Sequence, residues 1–239
     1  MCPSLHAVLV LAAVEQVVLR FCVGIAGPLG ARGHVVSRQS AAKVVGAVGA
    51  GPMLNQAVVE GAASGPQSDR SLALEIDGRV EVGAVYDPSR RELFTAERGR
   101  GAFLNGGALA VSTTPDLLDA LLVTGFPYDI HAEAGDLVEQ FAAFLGRARG
   151  VRRLGSAALD LCYVAAGRFD GFWEERLKSW DVAAGSLIVE EAGGRITGMD
   201  GSSFDLAAAH LVASNGSVHG PMLEVIRDTR TRRSRRRTD

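Results

Sequence analysis

From Ser71 to Pro88 the chain reads SLALEIDGRVEVGAVYDP. Two apolar-rich runs flank Asp77-Gly78, a pair suited to a type I′ turn, in which both central residues take positive φ. Such a turn commits its flanking strands to antiparallel pairing. ELFTAERGRGAFLNGGALAVS (92–112) extends the pattern with a strand, a Gly-bearing turn and a second hairpin signal at Asn105-Gly106. Its run RGRGAFLNGG is explained by turn chemistry, because it lacks the strand, Lys-Ser/Thr and helix that a phosphate loop needs.

Beyond the hairpins, strand and helix alternate. ALLVTGF (120–126) reads as a buried strand, and AEAGDLVEQFAAFLGRA (132–148) carries Leu137, Phe141 and Leu145 at helical spacing. SAALDLCYVAAGRFDGFWE (156–174) reads as a helix ended at Gly167, then a short strand through Phe169 to Trp173. GRITGMDGSSFDL (194–206) reads as strand and turn, HLVASN (210–215) as a last strand, and GPMLEVIRD (220–228) as the start of a last helix. A meander followed by alternating strand and helix predicts an α/β fold of layered sheets and helices.

KSWDVAAGSLIVEEAGG (178–194) concentrates the chemistry. Ala183, Ala184, Leu187, Ile188 and Ala192 form an apolar stripe at helical spacing, and Gly193-Gly194 supplies a stop. Asp181 stands where an N-cap belongs, accepting orphan N–H groups at the positive end of the helix dipole. The same position suits a carboxylate that holds a cation, and through it a phosphate. The spacing leaves both roles open.

The first seventy residues are Ala-, Val- and Gly-rich, with Glu15, Glu60 and Asp69 as their acids. Residues 5–22 and 52–63 are helix candidates, and 24–40 reads as loop. The apolar run 6–21 is interrupted by Glu15 and lacks a basic leader, which argues against a signal peptide or a membrane span. The expected organisation is a divergent segment (1–70), a folded unit (71–226) and a disordered Arg-rich tail (227–239). That tail holds seven Arg against two Asp; the chain's formal charge is −2, so the other 226 residues carry −7. An acidic body suits cations better than nucleic acid, leaving only weak tail contacts with RNA or an anionic surface. Cys2, Cys22 and Cys162 make no ligand spacing, which fits a reducing, cytoplasmic setting; Cys162 reads as a buried small hydrophobe.

GAVYDPSRRELFTAERGRGAFLNG, VTGFPYD, RRLGSAALDLCYVAAGRFDGFWE, WDVAAGSLIVEEAGG and LVASN together resemble the inositol monophosphatase family, from about Ser71 to Ile226. The resemblance implies an αβαβα sandwich, usually a homodimer, and Mg²⁺-dependent hydrolysis of small phosphate monoesters of polyols or sugars. It makes Asp181 a metal ligand that also faces the substrate, and it places Gly155, Ser156, Ala157 and Glu174 in substrate contact. It assigns no catalytic residue here. The residue chemistry agrees: Gly-Ser-Ala is a small loop opening a helix, and a Glu at a strand end accepts hydrogen bonds from hydroxyls.

The family also carries an upstream Glu and an Asp-Pro-x-Asp-Gly-Thr motif that supply most of its metal ligands. Here 46–71 reads GAVGAGPMLNQAVVEGAASGPQSDRS, with no Asp-x-x-Asp, and the spacing of Glu60 and Asp69 fits neither ligand. Three readings follow: an aberrant segment, a decayed segment in a non-catalytic relative acting through partners or RNA, or ligands from unexpected positions.

Overall fold

The computed structural model describes residues 56–62, 69–127, 130, 134–208 and 210–236. Its first sheet is an antiparallel meander of β1 (Gln56–Ala62), β2 (Arg70–Ile76), β3 (Arg79–Asp87), β4 (Glu92–Glu97), β5 (Ala102–Leu104) and β6 (Gly107–Ala108), in that spatial order. Both hairpin turns form as the dipeptides predict. Asp77 and Gly78 take φ of 51° and 77°, and Asn105 and Gly106 take 49° and 83°.

The second sheet has the order β10-β11-β9-β7-β8. It comprises β7 (Leu121–Thr124), β8 (Gly150–Arg152), β9 (Gly171–Glu174), β10 (Arg195–Thr197) and β11 (Leu211–Ser214). β7 pairs in parallel with β8 and β9, while β11 runs antiparallel to β9 and β10. Four α-helices and a short 3-10 turn (Leu117–Asp119) complete the described elements: α1 (Ala134–Leu145), α2 (Ala157–Ala165), α3 (Ser179–Glu191) and α4 (His219–Arg236).

The packing is layered. α2 and α3 pack together; α3 lies on β2, β3 and β4 of the meander, and α2 on β7, β9 and β11 of the mixed sheet. α1 and α4 pair on the far face of the mixed sheet. The described residues therefore form a mixed α/β arrangement of sheet, helix pair, sheet, helix pair.

β9 shows why its sequence, GFWE, has no polar alternation: it is buried on both faces. Phe172 enters the core between the sheets with Phe94, Leu161, Leu187 and Ile188. Trp173 enters the outer core with Leu122, Met222 and Ile226, where its ring stacks on Phe144 at 3.9 Å between centroids.

Several expectations are corrected. Within 52–63 the chain forms strand β1, not a helix. Short Val- and Ala-rich runs are ambiguous in isolation, and pairing from Gln56↔Ile76 to Ala62↔Arg70 decides the matter. The expected boundary at 70/71 is also crossed, since β1 belongs to the meander.

α3 is buried continuously from Val182 to Val189 rather than along one stripe, because it lies between two sheets. Small residues allow that closeness: a Cβ on Gly83 would lie 2.8 Å from the Ala184 carbonyl oxygen.

The Arg-rich end is helical through Arg236, where a disordered tail was expected. Thr229 is buried there, Arg147 meets Asp228 at 3.3 Å and Arg230 meets Glu175 at 2.9 Å. These anchors hold the start of the basic segment against α1 and the end of β9. The helix candidate at 5–22 and the loop at 24–40 lie outside the described residues. Among the described residues, no helix is long and apolar enough to cross a membrane.

Candidate active site

The site lies where the parallel strands end and α2 and α3 begin. Gly155 takes φ of 104°, a left-handed conformation that favours glycine. It turns the chain from β8 into α2, whose N-cap is Ser156. The Ser156 Oγ accepts from the Leu159 N–H at 3.2 Å and donates to Asp69 Oδ1 at 2.8 Å. The Ala157 and Ala158 N–H groups belong to the first turn and have no intrahelical acceptor. That helix start is thus a polar, positively polarised surface.

Asp69, which immediately precedes β2, is 4% exposed. Burial pushes its carboxyl up to about 6; the Ser156 hydrogen bond opposes this, and the charges of Asp181 and Asp87 add to it. The start of β2 is tied to α3 by Ser71, whose hydroxyl donates to the Trp180 carbonyl at 3.0 Å.

Asp181 sits three residues beyond the N-cap, because the helix begins at Ser179 after Lys178. Its Oδ2 accepts from the Lys178 N–H at 2.9 Å. This is the reach-back half of a capping box: the capping chemistry expected of Asp181 is present, from the third helical position. The carboxylate is half-buried.

Glu174 ends β9 and is 7% exposed. Burial pushes its carboxyl up to about 8, the Asp181 charge adds to the rise, and the Arg153 guanidinium opposes it. Its neighbour Glu175 faces outward to Arg230.

Asp160, one turn into α2, is fully buried, and among the described residues neither carboxyl oxygen has a hydrogen-bond partner. Burial holds its carboxyl well above the usual range; the charges of Glu174 and Asp69 raise it further, and Arg153 opposes them.

Ser156, Asp69, Asp160, Glu174 and Asp181 therefore share one electrostatic neighbourhood, with Gly155 and Ala157 at its rim. Asp69 and Asp160 were missed as site residues. Asp69 was visible as an acid, but its partner Ser156 is 87 positions away. Asp160 had one legible signal, a lone acid inside the apolar run SAALDLCYV.

Among the described residues, no three His, Cys, Asp or Glu side chains are placed to hold one metal ion. The described carboxyl groups form a cluster but not a Mg²⁺ coordination shell, which takes several oxygen ligands.

The loop 98–101 binds a carboxylate of its own chain: the Gly99 and Gly101 N–H groups each donate to Glu191 at 2.8 Å. Its glycines serve a turn docked on α3, in keeping with the turn reading.

Two sheets around a helix pair, with carboxyl groups gathered where the helices start, make a mixed α/β fold that the sequence assigns to one family. The inositol monophosphatase family profile matches residues 66–231, and the chain belongs to that family. An inositol-1-monophosphatase of Mesorhizobium japonicum is 43% identical over 157 residues, covering 66% of this chain and 59% of the relative. Nus factor SuhB of Escherichia coli is 48% identical over 158 residues, covering 66% and 59%. The solved structure of inositol monophosphatase from Anabaena (Nostoc) sp. PCC 7120 superposes with a TM-score of 0.66 at 41% identity, over 68% of this chain and 65% of that one. The chain thus spans about three-fifths of the length of the curated relatives it matches.

Proposed function

We propose that this chain binds a small phosphorylated polyol or sugar, with inositol monophosphate as the type ligand, and that its Mg²⁺-dependent hydrolysis of that ester is impaired. The observation that carries the reading is the convergence of the α2 start, Glu174 and Asp181, with the buried Asp69 bonded to Ser156 between them. Gly155, Ser156 and Ala157 present backbone N–H groups to phosphate oxygens. Glu174 accepts a hydrogen bond from a hydroxyl of the alcohol portion. Asp181 supplies one anionic oxygen to Mg²⁺. A full coordination shell needs carboxylates beyond the described residues, and weak metal binding and slow turnover follow from that lack. A cytoplasmic homodimer is the family setting, and sedimentation velocity tests the dimer.

A second reading is favoured by the relatives named Nus factor SuhB: a non-catalytic role exercised through partners, with the basic end of α4 as a contact surface for RNA or protein. The test is Mg²⁺ titration calorimetry with phosphate release from inositol 1-phosphate, on this chain and on one given the family's Asp-Pro-x-Asp-Gly-Thr segment and upstream Glu. Gain of both properties supports the phosphatase reading. Binding of neither Mg²⁺ nor inositol phosphate by either protein overturns it and leaves the partner role.

A further inference from the structure

Three parallel strands lie side by side in the order β9-β7-β8 and end at one edge of their sheet. Glu174 is the last residue of β9, Gly125 follows β7, and Arg153 follows β8. The middle strand thus ends without a side chain. A Cβ on Gly125 would overlap the Glu174 carboxyl group, meeting both oxygens and Cδ.

Backbone conformation does not call for glycine here, because Gly125 is absent from the positive-φ residues. Space alone calls for it. The next residue, Phe126, sets its ring beneath the Arg153 guanidinium, with Cζ 5.9 Å from the centroid. The Arg153 charge in turn acts on Glu174 and Asp160.

We propose that Gly125-Phe126 is the specificity-determining element of this site. Gly125 leaves the room in which the Glu174 carboxylate lies across the end of the middle strand. Phe126 holds Arg153 on the opposite side. An acceptor and a donor group are thereby placed on either side of the middle strand, an arrangement that fits neighbouring hydroxyls of a polyol phosphate, whereas the Glu174 acceptor offers a bare phosphate nothing. Gly125 is a positioning residue that acts through Glu174. The polyol assignment rests on the function proposed above; the fit of Gly125 to Glu174 does not.

The test has two parts on the full chain. The first is a stability cycle of Gly125→Ala, Glu174→Ala and the double variant. The added methyl lowers the melting temperature by about 3–10 °C in the parent, as overpacking does. In the Glu174→Ala background it lowers it by less than about 2 °C. Equal losses in both backgrounds overturn the proposal. If Gly125→Ala alone does not fold, recovery of folding in the double variant supports it and failure to recover overturns it.

The second part measures the melting-temperature shift given by inositol 1-phosphate and by inorganic phosphate, each with Mg²⁺. Gly125→Ala is expected to abolish the extra shift that the inositol ester gives and to keep the inorganic phosphate shift. Loss of both shifts, or of neither, overturns the specificity role. If the parent responds to neither compound, the functional reading above falls and the specificity role with it, while the stability cycle still decides whether Gly125 houses Glu174.

Discussion

Asp160 is the residue whose replacement is expected to stabilise this protein. It is fully buried, its carboxyl has no hydrogen-bond partner among the described residues, and burial, with the nearby Glu174 and Asp69 charges, raises it well above the usual carboxylate range. In the unfolded chain the same group ionises near 3.8. Folding therefore takes up a proton at this site, and stability falls as pH rises through the range where only the unfolded state is ionised. The penalty grows by at most about tenfold in the folding equilibrium per pH unit, the limit set by one proton.

Asp160→Asn keeps the size and polarity of the protonated side chain and removes the proton uptake. Urea unfolding of both proteins at pH 5, 6 and 7 measures the difference. The Asn variant is expected to gain on the parent at each step, its midpoint moving up with little change in slope. Comparison within each pH cancels the other titrating groups. A stability difference that stays flat with pH, or that favours the parent more as pH rises, refutes the reasoning and means Asp160 is charged in the fold.

Three further outcomes are expected. Above pH 8, where its carboxyl is ionised, Glu174→Gln weakens inositol phosphate binding by about 1–3 kcal/mol, the value of a charge-assisted hydrogen bond, and leaves Mg²⁺ affinity unchanged; equal ester affinity in calorimetry removes Glu174 from the site. Asp181→Asn keeps an oxygen acceptor for the Lys178 N–H, so thermal stability changes by less than about 1 kcal/mol, whereas Mg²⁺ affinity of the chain with the restored upstream ligands drops sharply. His219 is buried against Thr197 and Ser214, and burial first, then the Arg195 charge, hold its imidazole down to about 4. Its contribution is complete above pH 6.5 and is lost as pH falls toward 4, by at most about 3 kcal/mol; a His219→Gln variant whose acid unfolding profile matches the parent's counts against this.

The sequence by itself determined the features that local chemistry controls. Asp77-Gly78 and Asn105-Gly106 form their turns because few other pairs accept positive φ at both positions. α1 follows from apolar spacing, α2 and α3 end at the glycines that stop them, and the motifs around Ser156, Glu174 and Asp181 were legible because they lie in short continuous runs.

What tertiary structure decided has partners far apart in the chain. The run 56–62 is a strand because the edge of β2 offers it a ladder, and no local signal separates that outcome from a helix. The basic end of α4 is helical where Asp228 and Arg230 find charges on Arg147 and Glu175. Asp181 lies at the third helical position because Lys178, not Asp181, is where the backbone enters α3. Asp69 joins the site through a hydroxyl 87 residues away, and Gly125 matters because a carboxyl 49 residues later in the chain fills the space a side chain would take. Those placements depend on how the sheets and helices close on one another, and that closure is a property of the assembled fold, beyond the reach of any window of sequence.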